Sequence, residues 1–157
     1  MQKLLMWAGI VFIAVVTVSC EEFCEESNRT AVVVNFYSSE DTPLTANVEI
    51  RGIENDSVLY SQTSGNSQVM LPVNPSADMM SFSFKNDTLP ADTIIIRYTR
   101  RNGFISPECG CVTYAEILED PERTENAITD MVVTNHDVIT VSYRKNVVNA
   151  ENIRIYY

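Results

Sequence analysis

Histidine is nearly missing from this chain: His136 is the single one in 157 residues. Ser-His and Cys-His chemistry would need that side chain in a cleft beside a nucleophile, and no nucleophile motif accompanies it. Its setting, Thr134-Asn135-His136-Asp137, is turn-like and lies between two strand-like runs, so a hairpin turn is expected there. Basic residues are also scarce, with 11 Lys+Arg against 21 Asp+Glu and a formal charge of −10. Nucleic-acid binding, which runs on clustered cations, is thereby excluded. With one histidine, no C-x-x-C pair and no D-x-D-x-D-G spacing, no metal site and no cofactor are expected. The adjacent carboxylates Glu40-Asp41 and Glu119-Asp120 sit in loop-like stretches and do not converge as an acid/base pair would, which leaves no catalytic residue to assign.

Long apolar runs are absent as well, with one exception at the start. Leu4 to Val18 reads LLMWAGIVFIAVVTV and is followed by Ser19-Cys20. Fifteen residues are too few for a confident membrane span, which needs about 20, and suit the helical core of an export signal. Ser19-Cys20 resembles the lipobox of bacterial lipoproteins, with Thr17 where Leu is most usual. The resemblance implies cleavage before Cys20 and acylation of that residue. Residues 1–19 are then a signal peptide and residues 20–29 an acidic lipidated tether. Removing the signal takes only Lys3 among charged residues, so the mature chain is more acidic still. Glu21, Glu22, Glu25 and Glu26 also resemble the surface-export signal of Bacteroidota lipoproteins. A plain solvated tether explains them equally well, so the outer membrane is the expected address and its outer face the finer expectation.

From Thr30 onward the sequence reads as strand after strand. AVVVNFY (31–37) is β-branched and aromatic, and TANVEIRG (45–52) alternates Ala46, Val48 and Ile50 with polar residues. SVLYSQ (57–62), SQVMLPV (67–73), MMSFSFKN (79–86), DTIIIRYTRR (92–101), CVTYAEIL (111–118), AITDMVVT (127–134), VITVSYRK (138–145) and NIRIYY (152–157) continue the series. Clusters of Asn, Asp, Gly, Pro and Ser separate them. The one helix candidate, TYAEILEDPERTEN (113–126), would be stopped early by Pro121. Roughly eight to ten short strands over residues 30–157 predict a single all-β domain, an immunoglobulin-like antiparallel β-sandwich.

Four cysteines make awkward arithmetic. Acylation of Cys20 leaves Cys24, Cys109 and Cys111, and export favours disulfides. Residues i and i+2 of a strand lie about 7 Å apart, at the limit for a bridge, so Cys109 with Cys111 is a poor pair. Cys24 with Cys109 or Cys111 is the expected disulfide, and its long loop corresponds to about 4 to 5 kcal/mol of chain entropy. The competing reading makes Cys109-Gly110-Cys111 a thiolate metal site or a redox couple.

Arg97, Arg100 and Arg101 form the only basic cluster, split between two strand faces, and pairing with nearby carboxylates is its simplest role. Asp56-Ser57-Val58, Asp87-Thr88-Leu89 and Asp92-Thr93-Ile94 each resemble the O-glycosylation pattern of exported Bacteroidota proteins, which makes Ser57, Thr88 and Thr93 candidate acceptors.

The C-x3-C at Cys20 and Cys24, VVVNFY at 32–37, FISPECGC at 104–111 and the closing NAENIRIYY together resemble a family of Bacteroidota lipoproteins defined as a domain of unknown function. The resemblance spans nearly the whole mature chain and implies a small β-rich envelope lipoprotein, with no catalytic residue to carry over. The expected function is therefore a cell-envelope binding or assembly module rather than an enzyme, held to the membrane by its acyl anchor. Its expected partner is another envelope protein or a glycan, met by sheet edges and acidic loops.

Overall fold

The computed structural model describes residues 28–61, 65–86, 89–106, 110–138, 140–142 and 150–157, among which there are strands and turns but no helix. In chain order the strands are β1 (Asn28–Tyr37), β2 (Val48–Gly52), β3 (Val58–Tyr60), β4 (Gln68–Pro72), β5 (Met79–Asn86), β6 (Asp92–Ser106), β7 (Gly110–Ile117), β8 (Glu122–Arg123), β9 (Asp130–Val133), β10 (Asp137–Val138), β11 (Thr140–Ser142) and β12 (Ile153–Tyr156). They form two sheets. The first is centred on β1, flanked by β4 on one side and by β11 and then β12 on the other, with β9 beyond β12. The second runs β10-β7-β6-β5-β2-β3, with the short β8 also on β6.

Alternation explains why these two sheets face each other. Val32, Val34, Phe36, Leu71, Ile153 and Ile155 of the first sheet pack against Val48, Ile50, Phe82, Phe84, Ile94, Ile96, Tyr98 and Ile117 of the second. Each contributes every second residue of its strand, so one face is withdrawn from water and the other is not. In β1 the unbroken run Ala31-Val32-Val33-Val34 is buried on both faces, as continuous apolar strands generally are. The all-β sandwich and its single core are as the sequence predicts.

Three local expectations are corrected. The sandwich is mixed rather than wholly antiparallel, because β12 lies parallel to β1, with Val34 opposite Ile153 and Tyr37 opposite Tyr156. Parallel neighbours need a long connection, and here almost the entire chain serves as one. His136 is not in a hairpin: β9 pairs with β12 and β10 with β7, so the segment between them crosses from one sheet to the other. The run expected as one strand from Val138 is divided, β10 pairing in the second sheet and β11 in the first. The one helix candidate is extended, as the strand read over 111–118 predicts, its first part completing β7 with Ala115 and Ile117 buried and its second part forming β8. A period of two in Tyr114-Ala115-Glu116-Ile117 outweighed helix propensity.

One edge is closed by chemistry. On β4 the residues not bonded to β1 turn their backbone outward: Pro72 has no N–H, and the Met70 N–H is donated to the Tyr60 hydroxyl at 2.8 Å. A further strand has little to pair with there.

Two buried polar side chains tie connections to strands. Asp92, fully buried, accepts from Thr124 Oγ1 (2.9 Å), Asn126 N (2.7 Å), Ala127 N (2.8 Å) and Ile128 N (2.9 Å). Burial alone would raise its carboxyl, but these donors outweigh that and hold it below the usual carboxylate range. Asn152, 1 % exposed, binds three segments. Its Oδ1 accepts the Val33 N–H at 3.0 Å, and its Nδ2 donates to the carbonyls of Asn135 at 2.9 Å and Asp137 at 2.8 Å. Asn152→Ala is expected to lower stability by about 3 kcal/mol, since one donor and two carbonyls lose their partner. The check is urea unfolding, where the midpoint should fall with an unchanged slope.

Candidate functional site

The outer face of the first sheet carries the most organised polar cluster of the described residues. It follows from register: Asn35 pairs with Arg154 and with Gln68, and Tyr37 with Tyr156. These positions alternate with the buried Val34, Phe36, Ile153 and Ile155, so all of them point away from the core. Glu151, just before β12, reaches over this face. Its Oε2 accepts from Asn35 Nδ2 at 2.7 Å and the Tyr37 hydroxyl at 2.8 Å, while Oε1 accepts from Arg154 Nε at 2.6 Å.

The turn after β1 closes the cluster from above. Asp41 adopts φ 58°, a left-handed conformation that aspartate tolerates better than most residues. Its Oδ1 accepts from the Tyr156 hydroxyl at 2.9 Å and Arg154 NH1 at 3.3 Å. The Arg154 guanidinium also lies 4.7 Å from the centre of the Tyr37 ring, and that ring is 5.8 Å from Tyr156. One arginine is thus held by two carboxylates and an aromatic face.

The electrostatics keep Glu151 charged and Tyr37 protonated. Burial pushes the Glu151 carboxyl up, but the bonds from Arg154, Tyr37 and Asn35 prevail and keep it below the usual range. Tyr37 is raised, first by its bond to Glu151 and then by burial. At neutral pH the cluster therefore presents the ionised Glu151 carboxylate and the protonated Tyr37 phenol as hydrogen-bonding groups.

Elsewhere, a cleft of about 260 Å3 opens between β2, β3 and β5 and the chain from Pro72 to Pro75. Met80 and Phe82 line its apolar part, and Asn55, Ser57 and Ser81 its polar part. Ser57 is half-buried there, donating to Asn55 Oδ1 at 2.6 Å.

The residues singled out from the sequence are scattered. Thr93 is half-buried in β6, its N–H donated to Thr124 Oγ1 at 2.9 Å. Cys20, Cys24, Thr88 and Cys109 lie outside the described residues. Cys111 is exposed at the start of β7, with no disulfide partner among the described residues. His136 donates its Nδ1–H to the Ile117 carbonyl, 2.7 Å away, and its own carbonyl accepts the Ile117 N–H at 2.9 Å. That pairing makes it a brace between the crossover and β7. Asp41 turns to Arg154 while Glu40 does not join it, and Glu119 lies 3.6 Å from Arg97. Arg97 and Arg100 pair as expected, with Glu122 at 3.0 Å and Asp78 at 2.8 Å. Asn35, Glu151, Arg154 and Tyr156 were not identified as a site from sequence, although VVVNFY and NAENIRIYY, which supply all four, were two of the pieces carrying the resemblance.

The fold and this surface define an all-β sandwich with a polar, aromatic outer face. The chain belongs to DUF6452, a family of unknown function, and the match covers residues 47–157. Neither a curated protein nor a solved structure matches it.

Acid should loosen this face. A carboxyl with a depressed folded-state pKa stabilises fully above its unfolded value, about 4.3 for Glu, and the contribution is lost as pH falls through the folded value. Glu151→Gln is expected to reduce stability at neutral pH and to flatten the loss between about pH 5 and pH 3. Thermal midpoints across that range, against the unmodified protein, provide the check.

Proposed function

We propose that this protein is a lipoprotein of the bacterial cell envelope, anchored through an acylated Cys20 to the outer membrane, whose sandwich is a binding or assembly module rather than an enzyme. The observation that carries the reading is the 15-residue apolar run Leu4 to Val18 closed by Ser19-Cys20. Its length suits an exported leader, and the cysteine stands where the acylated residue of such leaders stands. The Bacteroidota kinship and the surface-export reading of the Glu21–Glu26 stretch belong to the same proposal. The partner is another envelope protein or a glycan, met on the Tyr37, Glu151, Arg154 and Tyr156 face, where fixed donors, acceptors and rings supply the groups such recognition uses. Ser57, Thr88 and Thr93 are its candidate glycan acceptors.

The expected bridge from Cys24 to Cys109 or Cys111 gains support from one hydrogen bond. The Thr30 hydroxyl of β1 donates to the Thr113 carbonyl of β7, two residues from Cys111, so the start of β1 lies beside that part of β7. Cys24 is four residues before Asn28, within about 14 Å of extended chain.

A second reading has one observation in its favour. The exposed Cys111 thiol suits thiol chemistry with Cys109, as a metal or redox pair.

Cys20→Ala is expected to move the protein from the membrane to the soluble fraction and to abolish labelling by a palmitate analogue. Continued membrane retention of that variant would sink the anchor. For the thiols, a non-reducing peptide map should join the Cys24 peptide to the Cys109–Cys111 peptide. Free thiols together with bound metal, lost in Cys109→Ser and Cys111→Ser while the domain stays folded, would favour the second reading instead.

A further inference from the structure

The cleft of about 260 Å3 has an apolar floor drawn from both layers of the sandwich. Val73 follows β4 of the first sheet, Met80 and Phe82 belong to β5 of the second, and none of the three is more than 9 % exposed. Gly52 keeps the space open. Alternation from Val48 and Ile50 points this position inward, opposite Phe82, and it brings no side chain there. A Cβ on Gly52 would stand 2.9 Å from Asn55 Oδ1 and 3.3 Å from Ser57 Oγ, so the loop that follows β2 is packed directly over the glycine and forms the rim. Asp56, at φ 50°, makes the sharp turn, and Asn55 Oδ1 holds it by accepting the Ser57 N–H at 3.1 Å and the Ser57 hydroxyl at 2.6 Å.

Charge at the mouth has one sign. Glu54 lines it and pairs with no cation among the described residues, while Arg51, the nearest along the chain, is held by Glu49 at 2.7 Å and Asp56 at 3.3 Å. Neither lysine nor arginine is among the described residues that line the cleft. A cation is drawn to such a mouth and an anion is repelled. Ser57 Oγ gives its one proton to Asn55, so toward a ligand it can only accept, as the Glu54 carboxylate can. The volume falls below the range of about 300–1,000 Å3 that takes drug-sized ligands, and suits a single ring with a short arm.

We propose that this cleft is a binding site for a small primary amine whose apolar body is about the size of one ring. The body fills the space over Met80 and Phe82, and the ammonium stays at the mouth, donating to the Glu54 carboxylate. Burial of the body supplies the affinity and the carboxylate selects the charge. The site lies between the sheets, apart from the Tyr37–Tyr156 face on the outside of the first, and does not depend on the membrane anchor.

The test uses the full chain with carbon-13 in its methionine methyls and three probes that share one ring: benzylamine, benzyl alcohol and benzoate. Benzylamine is expected to shift the Met80 methyl resonance with millimolar affinity, as so small a ligand allows, and to leave in place that of Met131, in β9 at the far side of the first sheet. Benzyl alcohol should bind about two- to fivefold more weakly, which is what a solvent-exposed ion pair contributes, and benzoate more weakly again. Glu54→Gln, on the exposed rim, should bring benzylamine down to the affinity of benzyl alcohol while the affinity for benzyl alcohol stays the same. Equal binding of the three probes, or an unchanged response to benzylamine in Glu54→Gln, would overturn the amine site. A Met131 shift as large as that of Met80, or no shift at either, would overturn the cleft as a binding site altogether.

Discussion

Asn152 closes this fold. The first and last strands lie side by side in the same direction, an arrangement no short turn can make, so something other than local chain geometry must hold them in register. The Asn152 side chain accepts from β1 and donates to both carbonyls of the crossover, while its N–H is donated to the Val33 carbonyl at 2.8 Å. One amide thus fixes the parallel pair and the point at which the chain leaves one sheet for the other. In a dry core such a fully satisfied group specifies a single arrangement, because every alternative register would leave it unpaired.

The polar outer face follows from that register. With β12 set against β1, Asn35 meets Arg154 and Tyr37 meets Tyr156, and Glu151 is carried over all of them. The core-facing residues between them fix this spacing, so the cluster's geometry is set by the fold. At the other end, the length of β6 sets how far the hairpin with Phe104 reaches past the packed layers. The edge of β4, closed by Pro72 and Tyr60, is poorly suited to strand addition.

Much of the fold was legible in the residues because strand signals are local. β-branched and aromatic composition together with period-two alternation marked the runs that became strands, the one from Val138 being divided between two sheets, and turn residues marked most of the breaks. The site was less legible. Glu151 looks like any surface acid, and only its position beside β12 makes it the acceptor for three side chains. Asp92 was noticed solely as part of a three-residue modification pattern, although it is the buried anchor for the loop from Thr124 to Ile128. His136 read as a hairpin residue because turn composition is the same whether the chain folds back on its neighbour or crosses between sheets.

The sequence by itself determined the class: all-β and acidic, with an apolar run near its start followed by a cysteine. Those properties depend on composition and on residues within about ten positions of one another, which is the range over which periodicity and turn chemistry act. Tertiary structure alone decided that the last strand runs parallel to the first, that β10 and β11 part between two sheets, and which acids find which arginines. Each of those outcomes joins residues up to more than a hundred positions apart, as Asp41 and Arg154 are, and only burial and hydrogen bonding in the assembled core select among such long-range pairings.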